Sequence, residues 1–126
     1  MHKSRLGGLS IDCRTDDLER AAEFWGQALG YETLPSTNPE DENYIAFKRD
    51  PNDPDIEVQK VEHESRVHLD IESDDIEAEV RRLEKLGARR IAKIRSWWVL
   101  EAPTGQRFCV VKPQRADFEE KANVWE

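Results

Sequence analysis

Residues 9–18 read Leu9-Ser10-Ile11-Asp12-Cys13-Arg14-Thr15-Asp16-Asp17-Leu18, and residues 67–76 read Val67-His68-Leu69-Asp70-Ile71-Glu72-Ser73-Asp74-Asp75-Ile76. Both stretches alternate apolar and polar side chains and then break at a Thr/Ser-Asp-Asp junction. Each runs on into an amphipathic segment that stops at a glycine, Gly30 or Gly87. The offset is 58 residues (Ser10 to His68), nearly half of the 126 in the chain. Two copies are too few for a stacked repeat array, which needs about three. The pattern predicts two halves related by a pseudo-twofold axis, with the functional site between them.

The local signals agree in both copies. Leu9, Ile11 and Cys13 share one face of a strand, as do Val67, Leu69 and Ile71. Asp16 with Glu19, and Asp74 with Glu77, have capping-box spacing at the start of a helix. Leu18, Ala21, Ala22, Trp25, Ala28 and Leu29 form one helical stripe, and Ile76, Val80, Leu83 and Leu86 form the other. Strand-like material follows each helix. In the first half it lies near 31–34, at 44–48 and at 56–61, with Pro35–Asn43 as a polar loop. In the second half it lies at 89–94, 97–101 and 107–112, with 102–106 as a hairpin turn. The fold class expected is α+β: tandem βαβββ modules forming a curved mixed sheet around a central cavity. Residues 1–126 make one domain, with module one at about 6–62, module two at about 65–112, and a tail at 113–126 that forms a short helix or packs as an arm.

The helices are expected to cover the apolar faces, which leaves Ser10, Asp12, His68 and Asp70 on the opposite, concave face. Polar groups there are costly to bury unless they are paired or hydrated, so the alternation predicts a lined, solvent-reachable cavity. Trp97 and Trp98 must point to opposite faces; Trp98, with Phe47, is assigned to the cavity wall.

Composition limits the partners. The formal net charge is −8, which disfavours nucleic acid and anionic membrane and mildly favours a neutral or cationic guest. Apolar runs fall far short of the roughly 20 residues of a membrane span, and Met1–Arg5 lacks the apolar core of a signal peptide. A cytoplasmic chain is expected, with Cys13 and Cys109 as thiols.

These features resemble the vicinal oxygen chelate superfamily, specifically its glyoxalase-like (glyoxalase/bleomycin-resistance/dioxygenase) domains. The resemblance rests on the tandem βαβββ order, the two strand-to-helix junctions, Phe24-Trp25 with Leu29-Gly30-Tyr31, His68, and the closing run from Ala102 to Val111. It implies metal-ligand positions at Ser10, Glu57 or Gln59, His68 and Cys109. His68 is the usual ligand type there, Glu57 is the second candidate, and a serine hydroxyl is a weak donor. The resemblance also implies a homodimer, which the apolar tail supports.

The candidates are therefore His68 and Asp70 for acid–base work, Ser10, Asp12, Phe47, Gln59, Trp98 and Cys109 for ligand contact, and His68 with Glu57 for a metal. The function expected is binding of a small organic molecule between the modules, without a cofactor, as bleomycin-resistance proteins do. The alternative is a lyase, isomerase or dioxygenase that uses His68 and Glu57 around Zn, Ni, Mn or Fe.

Overall fold

The computed structural model describes residues 1–36 and 38–126; Thr37, within the stretch expected as a loop, lies outside the described residues. The first half runs β1 (His2–Cys13), α1 (Leu18–Leu29), β2 (Thr33–Leu34), a single 3-10 turn at Pro39–Asp41, β3 (Tyr44–Phe47) and β4 (Asp55–Lys60). The second half runs β5 (Arg66–Ser73), α2 (Ile76–Lys85), β6 (Arg89–Ile94), β7 (Trp97–Glu101) and β8 (Arg107–Val111). A short α3 (Phe118–Lys121) and β9 (Asn123–Trp125) complete the chain.

All the strands join one curved mixed sheet in the order β2-β3-β4-β1-β5-β8-β7-β6, with β9 on the start of β1. β1 pairs parallel with β4 and β5 pairs parallel with β8, while β1 and β5 meet antiparallel. Along that seam Ser10 faces His68, so each stands directly opposite its own equivalent in the other half. An antiparallel pair in that register places the pseudo-twofold axis between Ser10 and His68. β1 starts well upstream of the repeat, because its first residues pair with β9 and with the end of β5.

The helix caps fall one residue later than the expected Asp16 and Asp74. The Thr15 and Ser73 hydroxyls accept from the N–H of Asp17 and Asp75, which tightens each junction into a side-chain-closed turn. Asp17 and Asp75 then cap α1 and α2 by accepting from Arg20 and Ala78. Asp74 instead accepts from the Lys3 backbone N–H at 2.8 Å. Glu77 pairs with Arg81 and Arg90 rather than reaching back to the cap. Gly30 closes α1 in the left-handed conformation (φ 78°) that glycine adopts without steric cost.

Each helix buries a separate core. Under α1 lie Ile11, Cys13, Leu18, Ala22, Phe47 and Val58; under α2 lie Val80, Leu83, Leu100 and Val110, with Ile71, Trp98 and Phe108 packed alongside. Val67 and Leu69 were expected beneath α2 but remain 57% and 50% exposed, because they lie at the seam between the two helices. Gly8 is required where β1 meets β4: a Cβ there would stand 1.9 Å from the Asp55 carbonyl oxygen.

The tail packs onto its own chain. Phe118 is buried, and Trp125 Nε1 donates to Ser4 Oγ at 2.8 Å. Ser4 Oγ donates in turn to Glu79 Oε2 at 2.7 Å. Glu79 is fully buried and also holds His2 and Arg82. Among the described residues, no helix is long and apolar enough to cross a membrane.

Candidate functional site

The sheet face opposite the two helices encloses a hollow of about 680 Å³, a size usual for small-molecule sites (roughly 300–1,000 Å³). Both halves line it. β1 supplies Asp12, β3 supplies Tyr44, and β4 supplies Asp55, Glu57 and Gln59; β5 supplies His68 and Asp70, β7 supplies Trp97, and β8 supplies Arg107 and Cys109. Strand register explains the choice. Tyr44 and Ala46 pair with Gln59 and Glu57 and so share their face, as Val99 shares that of Cys109.

His68 is the centre of the polar cluster. Its Nδ1 lies 2.8 Å from Asp12 Oδ2, and its Nε2 lies 3.3 Å from Asp70 Oδ1. Arg66 Nε stands 3.8 Å from the same Asp12 oxygen, and Ser10 Oγ donates to Asp12 Oδ1 at 3.4 Å. Burial works against charge on the His68 imidazole, yet hydrogen bonds to Asp12, Asp70 and Cys109 together outweigh it, and its pKa is pushed up to about 12. Burial, then the nearby Asp55 and Asp70 carboxylates, push Glu57 up to about 8 against the pull of His68. Burial also raises the Cys109 thiol more than His68 lowers it, so Cys109 is not an activated nucleophile here. Gln59 Nε2 donates to the Tyr44 hydroxyl at 3.1 Å.

Asp12, Glu57, Gln59, His68, Asp70 and Cys109 thus converge on one hollow. Three candidates sit elsewhere. Phe47 points to the opposite face of β3 and packs under α1. Trp98 packs against the α2 core, with Arg90 over its ring at 4.9 Å. Ser10 lies on the concave face but is wholly covered, so it supports Asp12 rather than touching a guest. Tyr44 and Trp97 occupy the wall positions assigned to Phe47 and Trp98. The hairpin turn at 102–106 carried the signal for Trp97, because it fixes the β7–β8 register and places Trp97 on the face of Cys109.

A larger groove of about 1110 Å³ runs between α1 and residues 31–36 and 38–45. Acidic and neutral side chains and Lys60 line it, with no histidine or cysteine among the described residues, so the convergent chemistry belongs to the smaller hollow.

Of the four ligand positions implied by the resemblance, Glu57 or Gln59, His68 and Cys109 line the hollow. Ser10 is covered and bonded to Asp12, and Glu57 stands outside the donor group that does form. Among the described residues that group is His68, Asp70 and Cys109, whose donor atoms all lie within 4.8 Å of one another.

A search of curated protein sequences finds no match. Among solved structures, a hypothetical protein from Bacillus halodurans C-125 superposes with a TM-score of 0.62 at 14% identity, over 90% of this chain and 97% of that one. Methylmalonyl-CoA epimerase from Mycobacterium tuberculosis gives 0.60 at 17% identity, over 86% and 87%. The Streptomyces coelicolor methylmalonyl-CoA epimerase in complex with 2-nitronate-propionyl-CoA gives 0.60 at 16%, over 86% and 96%. At such identities these likenesses concern the fold. The protein-family model described as a glyoxalase-like domain matches residues 9–111, most of the chain, and the protein belongs to that family.

Proposed function

We propose that the protein binds a small organic molecule in the hollow between its halves and exchanges a proton with it through Glu57. The observation that carries this reading is the Glu57 carboxyl inside the hollow, across from the Asp12–His68–Asp70 cluster. Burial among other carboxylates holds its pKa at about 8, so it gives up and takes back a proton near neutral pH, as a general acid–base group requires. His68 has a different role. With both ring nitrogens held by carboxylates, it keeps fixed positive charge beside the guest and offers no free proton. Trp97, with Arg95 5.7 Å from its ring centre, provides a stacking wall for a planar guest.

The test uses a panel of small planar cations, neutral carbonyl compounds and carboxylic acids. Binding is followed by tryptophan quenching, and proton exchange by deuterium uptake into carbon acids in heavy water. The expected result is quenching that weakens in Trp97→Phe, with exchange lost in Glu57→Gln while binding persists. No quenching above background by any compound would remove the reading. Quenching without exchange would favour sequestration, the alternative consistent with the same hollow.

A further inference from the structure

We infer that Tyr44 is the oxygen-recognising residue of the hollow: its hydroxyl, oriented by Gln59, donates to a carbonyl oxygen of the guest whose neighbouring carbon exchanges a proton with Glu57. The inference rests on the proton-exchange reading and names its substrate class, carbonyl compounds that carry hydrogen on the carbon next to C=O. Gln59, a ligand-contact candidate in the sequence, takes the different role of holding Tyr44.

Hydrogen-bond accounting comes first. A tyrosine hydroxyl has one proton to give and can also accept. Gln59 Nε2 donates to the Tyr44 oxygen at 3.1 Å, which leaves the phenol proton unspent. Among the described residues that proton finds no acceptor, and the half-buried Tyr44 lines the hollow, so its free direction is the space of the guest. Burial, and next the Glu57 charge, raise the Tyr44 pKa against the pull of Arg95, which keeps the hydroxyl protonated. His68 beside it has both ring nitrogens committed to Asp12 and Asp70. Tyr44 is thus the hydroxyl donor on the β3–β4 wall that carries Glu57.

The register then sets the spacing. Tyr44 pairs with Gln59 and Ala46 with Glu57, so Tyr44 stands two residues along the strand from the place beside Glu57. Two residues span about 7 Å, which a carbonyl group and its neighbouring carbon fill with one contact of about 3 Å at each end. Ala46 also lines the hollow, and its single methyl leaves the room beside Glu57 that the reacting carbon needs.

The step balances without a further reagent. As a carboxylate, Glu57 takes the proton from the carbon next to C=O. The electron pair of that C–H bond moves toward the carbonyl, and negative charge gathers on its oxygen. There the Tyr44 O–H strengthens its hydrogen bond and keeps its proton. Return of a proton from Glu57, or of a deuteron after exchange with heavy water, restores the guest.

The test uses ketones matched with the hydrocarbons in which CH–CH3 replaces C=O, phenylacetone and isobutylbenzene being the first pair. Ketone binding is read by tryptophan quenching, hydrocarbon binding by competition, and exchange by deuterium uptake. The parent is expected to prefer the ketone about tenfold. Tyr44→Phe should lose that preference and slow exchange about 100-fold or more, whereas Glu57→Gln should keep the preference and lose exchange. Gln59→Met should weaken ketone binding by a smaller factor. With 3-fluorotyrosine at Tyr31 and Tyr44, the two tyrosines of the chain, ketone should move the Tyr44 fluorine line and leave that of Tyr31. Circular dichroism confirms folding, and if Tyr44→Phe does not fold, the fluorine spectrum decides. Equal binding of ketone and hydrocarbon, a preference that survives in folded Tyr44→Phe, tighter ketone binding in Gln59→Met, or an unmoved Tyr44 line would overturn the assignment. A Tyr44-dependent ketone preference without exchange would uphold Tyr44 and sink the role of Glu57, while no binding by any compound would sink both.

Discussion

Asp12 and His68 belong to different halves of the chain, and the 2.8 Å contact between Oδ2 and Nδ1 fastens the two halves together across the β1–β5 seam. It is a buried ion pair, and removing one partner of such a pair commonly costs about 3–5 kcal/mol, because the other charge is stranded. Asp70, on the other ring nitrogen, softens the loss for the imidazolium. Asp12→Asn is therefore expected to destabilise the fold by about 3 kcal/mol at neutral pH in urea unfolding. The His68 imidazole should titrate well below about 12 in the same variant, followed by nuclear magnetic resonance. An unchanged titration would show that Asp12 does not hold the charge.

Glu57 makes stability depend on pH in a defined direction. The folded protein keeps the Glu57 proton up to about 8, whereas the unfolded chain releases it near 4.5. The folded state thus binds more protons between those values, and stability falls as pH rises through that window. Glu57→Gln removes the decline. It should stabilise the protein on the order of 2–3 kcal/mol at pH ~9 and hardly at all at pH ~4, in paired denaturation curves. An equal effect at both pH values would contradict the assignment.

Gly8→Ala should be among the most damaging small substitutions. The added Cβ would lie 1.9 Å from the Asp55 carbonyl oxygen and 2.7 Å from its carbon, inside the parallel β1–β4 pairing. A loss of roughly 3 kcal/mol or more is expected. Gly105→Ala is the control: its φ of +94° strains an alanine, but nothing lies within 4 Å of the new Cβ. It should cost only about 1 kcal/mol. Equal melting shifts in the two variants would refute the steric explanation.

Glu79 should anchor the tail. Burial raises its pKa, but hydrogen bonds from Arg82, His2 and Ser4 outweigh that, and the net shift is downward. The stability it contributes is present above the ordinary carboxylate range and lost as pH falls through its lowered folded value. Glu79→Ala is expected to cost about 3 kcal/mol and to shift tryptophan emission to the red as Trp125 leaves Ser4. Unshifted emission would mean that Glu79 does not anchor the tail.

The duplicated strand–helix units could be read from sequence because alternation, junction residues and glycine stops coincide in both copies. What depended on pairing register could not. Trp97 and Trp98 are indistinguishable by alternation alone, and only the hairpin linking β7 to β8 decides which one faces Cys109. Phe47 went astray in the same way, since its face follows from the pairing of Tyr44 with Gln59. Ser10 was assigned to the correct face, but its complete covering is a consequence of packing that no pattern of residue types records. The caps were misplaced by one residue because the Thr15 and Ser73 hydroxyls took the turn first.

A perfectly symmetric bowl would accept a guest in two orientations of equal energy. Here the matched places beside the axis hold a serine on one flank and a doubly gripped histidine on the other. That difference removes the degeneracy. A guest held in the hollow would therefore have one end at the imidazolium, and its two ends would not be interchangeable.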